Sequence, residues 1–232
     1  YNEFGKDKLF NRSNHNEKLT LLTYLTNCLY KTNKHKKSLK YADKLFISMK
    51  EYDSFLHDKY LFYYYNILVL NYAKTDKKKA LYYLNKASRS EVIKKLPSYN
   101  AFIYLNRSLI YYYEDNYKES QKNIARLIMQ EDFLLLDKSF QLKILVADLM
   151  IRMLVSNKNL NDKIRTINKD YKSLLLENHH IREKKMIDLI SNKINNKDLV
   201  EDKENILLCM SDSDSEDIDI ISYNIWIKEN IK

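Results

Sequence analysis

Glycine and proline are almost missing from this sequence: Gly5 and Pro97 are the only ones in 232 residues, against about 7% and 5% in ordinary proteins. A backbone so poor in both is expected to be nearly all helix, with helix content above about 65% and no sheet, where the average is near one third. The same scarcity excludes Gly-rich phosphate cradles and nucleophile elbows, which need several closely set glycines. Cysteine is scarce too. Cys28 and Cys209 form no C-x-x-C pair, and the reading that follows is a reduced, cytoplasmic compartment. No apolar run approaches the roughly 18 residues that suggest a membrane-spanning helix, and the N-terminal residues do not read as a secretory signal. The chain opens on Tyr1 rather than methionine, so an upstream segment is expected.

What is abundant is tyrosine, with 20 against eight phenylalanines and the single Trp226. Much of the apolar packing therefore carries hydroxyls that need partners or solvent. The net charge of +9 conceals a split: residues 201–232 hold nine acids against three lysines, leaving +15 on the rest of the chain. A body that basic favours acidic partners. Lysine dominates its bases, and lysines on solvent-facing helix positions also confer solubility.

Apolar residues recur at helical spacing almost throughout, interrupted by short Asn/Asp/Lys/Ser clusters. The pattern predicts helices over about 15–31, 34–50, 53–73, 76–87, 98–113, 116–130, 142–155, 160–176 and 181–194, with a short helical turn before Pro97. Asn14 with Glu17, and Ser88 with Glu91, read as capping boxes.

These helices pair, and the pairs resemble one another. Aligned on a small residue in each second helix, they read Leu22, Leu25, Thr26, Leu29 then Ser38, Ala42, Leu45; Tyr65, Leu68, Tyr72 then Ala80, Leu84, Ala87; and Tyr104, Ser108, Tyr111, Tyr117 then Ser120, Ile124, Leu127. This resembles the tetratricopeptide (TPR) pattern, in which small residues let two helices approach closely and large ones fill the groove of the next unit. The resemblance covers about residues 19–130, with an extension over 142–176. It departs from the family in the spacings of 42 and 40 between Ser38, Ala80 and Ser120, against about 34, and in lacking the consensus glycine and proline. It implies an all-α, TPR-like α-solenoid of antiparallel helix pairs over 1–194. A polar, acidic linker over 195–219 and an apolar docking or capping segment over 220–232 follow it.

Within that last segment Ile221, Ile225 and Trp226 fall close to one helical face and are expected to cover the final helix pair. The run Ser211–Asp217 alternates serine with acids and reads as linker. Asp212, Asp214 and Glu216 mimic the first ligands of an EF-hand loop, but Asp217 stands where that loop needs glycine and Tyr223 where it needs a bidentate acid. No metal site and no cofactor is expected. His15, His35, His57, His179 and His180 read as surface or helix-start residues, because adjacent His179 and His180 point roughly 100° apart and no ligand lies at metal spacing. Glu114-Asp115 and Glu131-Asp132 sit at turns, where carboxylates cap helices.

Two basic clusters, Lys31, Lys34, His35, Lys36, Lys37, Lys40 and Lys74, Lys77, Lys78, Lys79, fall at the same turn of successive pairs. The tyrosine runs Tyr63–Tyr65 and Tyr111–Tyr113 cover several helix faces at once, so some rings must look outward. The partner surface read from these patterns comprises Tyr64, Tyr65, Tyr72, Tyr104 and Tyr112 in a groove, with Lys77, Lys78 and Lys79 on its edge. The function that follows is a non-catalytic scaffold holding a protein or peptide segment, an acidic one by charge. Alternatives are the peptide-sensing repeat domain of a transcriptional or signalling regulator, and a nucleic-acid-binding repeat. Against the last stands the shortage of arginine, the residue suited to bidentate phosphate contact.

Overall fold

A computed structural model describes residues 10–73, 75–156, 159–195 and 219–231. Of these, 80% are helical and none lies in a strand. The helices are α1 (His15–Lys31), α2 (His35–Ser48), α3 (His57–Ala73), α4 (Lys77–Ser88), the single turn α5 (Glu91–Lys94), α6 (Tyr99–Tyr112), α7 (Tyr117–Ile128), α8 (Lys138–Val155), α9 (Leu160–Asp170), the single turn α10 (Lys172–Leu175), α11 (Ile181–Ile194) and α12 (Tyr223–Asn230). The chain divides into two compact units at Tyr113/Glu114, inside the region expected as one repeat domain. Lys74, Cys209 and the acidic run 211–217, including the EF-hand-like acids, lie outside the described residues.

In the first unit α1 packs on α2 and α3 on α4, with α3 also touching α1, α2 and α6. The small residues carry these approaches: Ser38, Ala42, Ala80 and Ala87 are fully buried, as are Leu22, Leu45 and Leu84, which fill the space around them. Burying each such leucine contributes roughly 1.5–3 kcal/mol. In place of glycine, Asn33 takes the left-handed conformation (φ 56°) that ends α1, since short polar side chains tolerate that region.

Helix α3 starts at His57, four residues later than the apolar pattern predicts. Tyr52, Asp53 and Ser54 all hold positive φ, of 53°, 60° and 59°, at a cost on the order of 1–2 kcal/mol each. Packing offsets that cost: the Tyr52 ring meets His15 edge-on at 4.9 Å and Phe55 lies 5.9 Å from the same imidazole. His15, expected as a surface or helix-start residue, is the first residue of α1 and is buried, and burial pulls its pKa below the ordinary value.

In the second unit α7 packs on α8, and α8 on α9 and α11. Ser120, Ile124 and Leu127 of α7 are fully buried against this core. Helix α8 is buried along most of its length, and its Asp148 carboxylate holds Arg152 at 2.8 Å and Lys163 of α9 at 3.0 Å. Helix α8 begins at Lys138, earlier than predicted, because Asp137 Oδ1 accepts the amides of Ser139 and Phe140 at 2.9 and 3.1 Å. The span predicted as one helix over 160–176 breaks at Tyr171, whose hydroxyl turns to Gln141 Oε1 at 2.7 Å.

Neither capping box forms. Asn14 Oδ1 accepts the Asn11 amide, upstream of the helix, at 2.7 Å. Ser90, not Ser88, caps α5, accepting the Ile93 amide at 3.4 Å, while Ser88 Oγ donates back to Asn85 O. Among the described residues no helix is long and apolar enough to cross a membrane, and no group of three His, Cys, Asp or Glu side chains is placed to hold a metal.

Candidate functional site: an aromatic and lysine surface on the second hairpin

Of the tyrosines of α3 and α4, Tyr60 and Tyr64 are buried and the others are partly or largely exposed. Tyr64 packs: it is buried and stacked on Phe46 of α2, with ring centroids 4.7 Å apart and planes 18° apart. Burial pushes its hydroxyl far above the ordinary range, with the Tyr83 hydroxyl adding to the shift. It is core, which corrects its expected place in a groove. Turning so large a ring outward would forfeit both its apolar burial and its stacking partner.

One helical step on, Tyr65 is half-buried with its ring 5.4 Å from that of Tyr64. Seven residues further along α3, Tyr72 stacks nearly parallel on Tyr83 of α4, at 5.7 Å and 13°. Tyr83 meets Tyr82 edge-on at 5.2 Å, and Tyr82 is half in solvent. Two ammonium groups lie over these rings: Lys79 Nζ is 5.3 Å from the Tyr72 centroid and Lys86 Nζ 4.7 Å from that of Tyr82. The ring quadrupole attracts each cation, modestly because water surrounds them, and holds it beside the aromatic face. The Tyr82 hydroxyl also raises the Lys86 pKa, and the Asp76 carboxylate, 3.2 Å from Lys79, raises that of Lys79. Burial raises the Tyr83 hydroxyl.

Tyr65, Tyr72, Tyr82, Tyr83, Lys79 and Lys86 thus form a continuous surface on the α3–α4 hairpin. Of the residues expected there, the structure brings together Tyr65, Tyr72 and Lys79. Tyr82, Tyr83 and Lys86 were missed, although positions 79, 82, 83 and 86 carry an i, i+3, i+4, i+7 signal. Lys78 is exposed beside them. Lys77 turns elsewhere, and its Nζ donates to the Tyr113 carbonyl, closing the C-terminal end of α6, where cations are favoured. Tyr104 and Tyr112 lie half-buried on α6, Tyr112 edge-on to Tyr113.

Elsewhere in this unit an open depression of about 620 Å³ is lined by Phe10, Asn16, Thr20, Leu21 and Tyr24, among others. Two of its polar groups are engaged within the fold, Thr20 Oγ1 with the Tyr60 hydroxyl at 2.6 Å and Asn16 Oδ1 with Lys59 at 2.7 Å.

In the second unit the C-terminal segment is docked. Ile221, Tyr223, Trp226, Ile227 and Ile231 are buried, whereas Ile225 is 57% exposed. Ile225, expected on the docking face, instead looks outward; α12 starts only at Tyr223, with Ser222 accepting the Ile225 amide at 3.4 Å. Arg182 of α11 anchors the segment: its Nη2 lies 2.8 Å from Asp219 Oδ2, and its guanidinium sits 5.5 Å over the Tyr223 ring. Burial raises the Asp219 pKa against the pull of Arg182, and raises the Tyr223 hydroxyl well above its ordinary value. No protein-family model, no curated protein sequence and no solved structure matches the chain.

Proposed function

We propose that this chain is a TPR-like helical-repeat scaffold that holds an acidic protein or peptide segment on the α3–α4 face. The observation that carries the reading is the contiguity of Tyr72, Tyr83 and Tyr82 with Lys79 and Lys86 resting on two of the rings. Aromatic rings give large, stiff contact area, and lysines beside them discriminate against basic partners. The fully buried small residues Ser38, Ala42, Ala80 and Ala87 support the repeat reading, since they sit where the resemblance requires close helix approach. The exposed, free Cys28 thiol suits a reducing, cytoplasmic setting.

The test is selection from a random displayed-peptide library by the purified chain. Enrichment of peptides combining Asp or Glu with apolar or aromatic residues is expected. Failure to enrich any sequence, or enrichment of basic ones, contradicts the proposal.

A further inference from the structure

His180, expected as a surface or helix-start residue, stands at the start of α11 but is only 4% exposed, and it joins two residues on different elements of the second unit. Its Nε2 lies 3.1 Å from the hydroxyl of Ser139, 41 positions earlier on the first turn of α8. Its Nδ1 lies 3.6 Å from Oε2 of Glu183, on the first turn of α11 and itself 3% exposed. That separation is longer than a hydrogen bond, and Nδ1 has no hydrogen-bond partner; with the proton on Nδ1, drawn toward the carboxylate by charge alone, Nε2 is left as an acceptor for the serine proton. That is the order nucleophile, base, carboxylate, recognised by geometry and roles rather than by position in the chain.

We infer that Ser139 is an activated nucleophile, with His180 as its general base and Glu183 positioning the imidazole, and that it accepts acyl groups from activated esters. Ser139 is half-buried, so its hydroxyl is within reach of a small reagent. Leu135, four residues before it, is 82% exposed, and Leu176 and Ile181, which flank His180 in the chain, are 72% and 46% exposed.

The step balances as a substitution. Ser139 Oγ attacks the ester carbonyl carbon and its proton moves to His180 Nε2. The tetrahedral adduct then expels the alcohol oxygen with the bonding electron pair, and the imidazolium returns its proton to solvent or to that oxygen. The product is acyl-Ser139. A general base contributes about 10²–10⁴-fold. The nearby amides of Ser139 and Phe140 are spent on Asp137, and a missing oxyanion donor costs about 10²–10³-fold. Relative to an unassisted serine the gain is therefore that of the base alone, without the further oxyanion contribution. Reaction is therefore confined to donors with good leaving groups, and shows as covalent capture rather than fast turnover. Acylation of Ser139 and binding on the α3–α4 face are independent of each other.

The experiment treats the full chain with a fluorophosphonate and, separately, with p-nitrophenyl butyrate, and maps the adduct by peptide mass spectrometry. Ser54 and Ser98, both exposed, serve as internal references. Ser139 is expected to react at least about ten times faster than either, Ser139→Ala to remove the adduct, and His180→Gln to slow it by about 10²-fold. Glu183→Ala should slow it and Glu183→Asp restore it, a rescue that a role in packing alone does not give. Reaction of Ser139 no faster than Ser54 and Ser98 overturns the inference without reference to any variant. So does an adduct that persists in Ser139→Ala.

Discussion

The carboxamide of Asn71 donates to the hydroxyl of Ser38 at 3.0 Å, and this bond stitches three helices of the first unit together. Asn71 Nδ2 also donates to Ile67 O at 2.8 Å, its Oδ1 lies 3.1 Å from His35 Nδ1, and Ser38 Oγ donates to Thr26 O at 2.9 Å. Asn71 and Ser38 are both fully buried. The small position that is alanine in the second hairpin is thus serine in the first because a polar partner stands opposite.

Removing one member of this network leaves others unsatisfied. Asn71→Ala is expected to cost about 2–3 kcal/mol and Ser38→Ala about 1 kcal/mol, read as denaturation midpoints at constant slope. The double variant should show a coupling of about 1 kcal/mol. Strict additivity would contradict the network.

The close helix approach predicts a cost for bulk. Ala80→Leu and Ala87→Leu each enlarge the side chain at a fully buried position, and should destabilise by on the order of 1–3 kcal/mol. Unchanged midpoints for both would remove the packing role given to these residues.

How far the sequence led is clear from particular elements. Helices α1, α4, α6 and α11 lie close to their predicted bounds, because apolar periodicity and Asn/Asp turn residues agree there. The late start of α3 was not legible, since Tyr52 and Ser54 give no sign of a positive φ. Tyr64 was misplaced for another reason: in a run of three tyrosines every face is aromatic, and only the stacked Phe46 decides which ring turns inward. Lys77 looked like its neighbours until the end of α6 arrived beside it. The contacts of Ser139 with His180, and of Asp219 with Arg182, span 41 and 37 residues, a separation that no local pattern encodes.

The docked C-terminal segment should be released by alkali. The Tyr223 pKa is raised on docking, so the docked state favours the neutral phenol. That contribution is complete below the free tyrosine value of about 10 and is lost as pH climbs above it. Trp226, the only tryptophan, reports the change as a red shift in emission as pH rises past about 10. Other buried tyrosines, Tyr60 and Tyr64 among them, also have raised values, so helix content must be followed alongside. Tyr223→Phe should move the Trp226 transition to higher pH. An unchanged transition would mean that Tyr223 does not govern docking.

The central claim, that the α3–α4 face binds an acidic segment, is tested most directly by titration calorimetry of one library-selected acidic peptide. The proteins compared are the unmodified chain, the Tyr82→Ala/Lys86→Ala double variant, and Tyr24→Ala, which alters an exposed ring of α1 outside the surface. Because Tyr82 and Lys86 are exposed, their loss should leave the fold intact. Affinity is expected to fall at least about tenfold in the double variant, about 1.4 kcal/mol, and to change less than about twofold in Tyr24→Ala. Added salt should weaken binding more steeply in the unmodified chain than in the double variant. Equal affinity of the double variant and the unmodified chain would contradict the account.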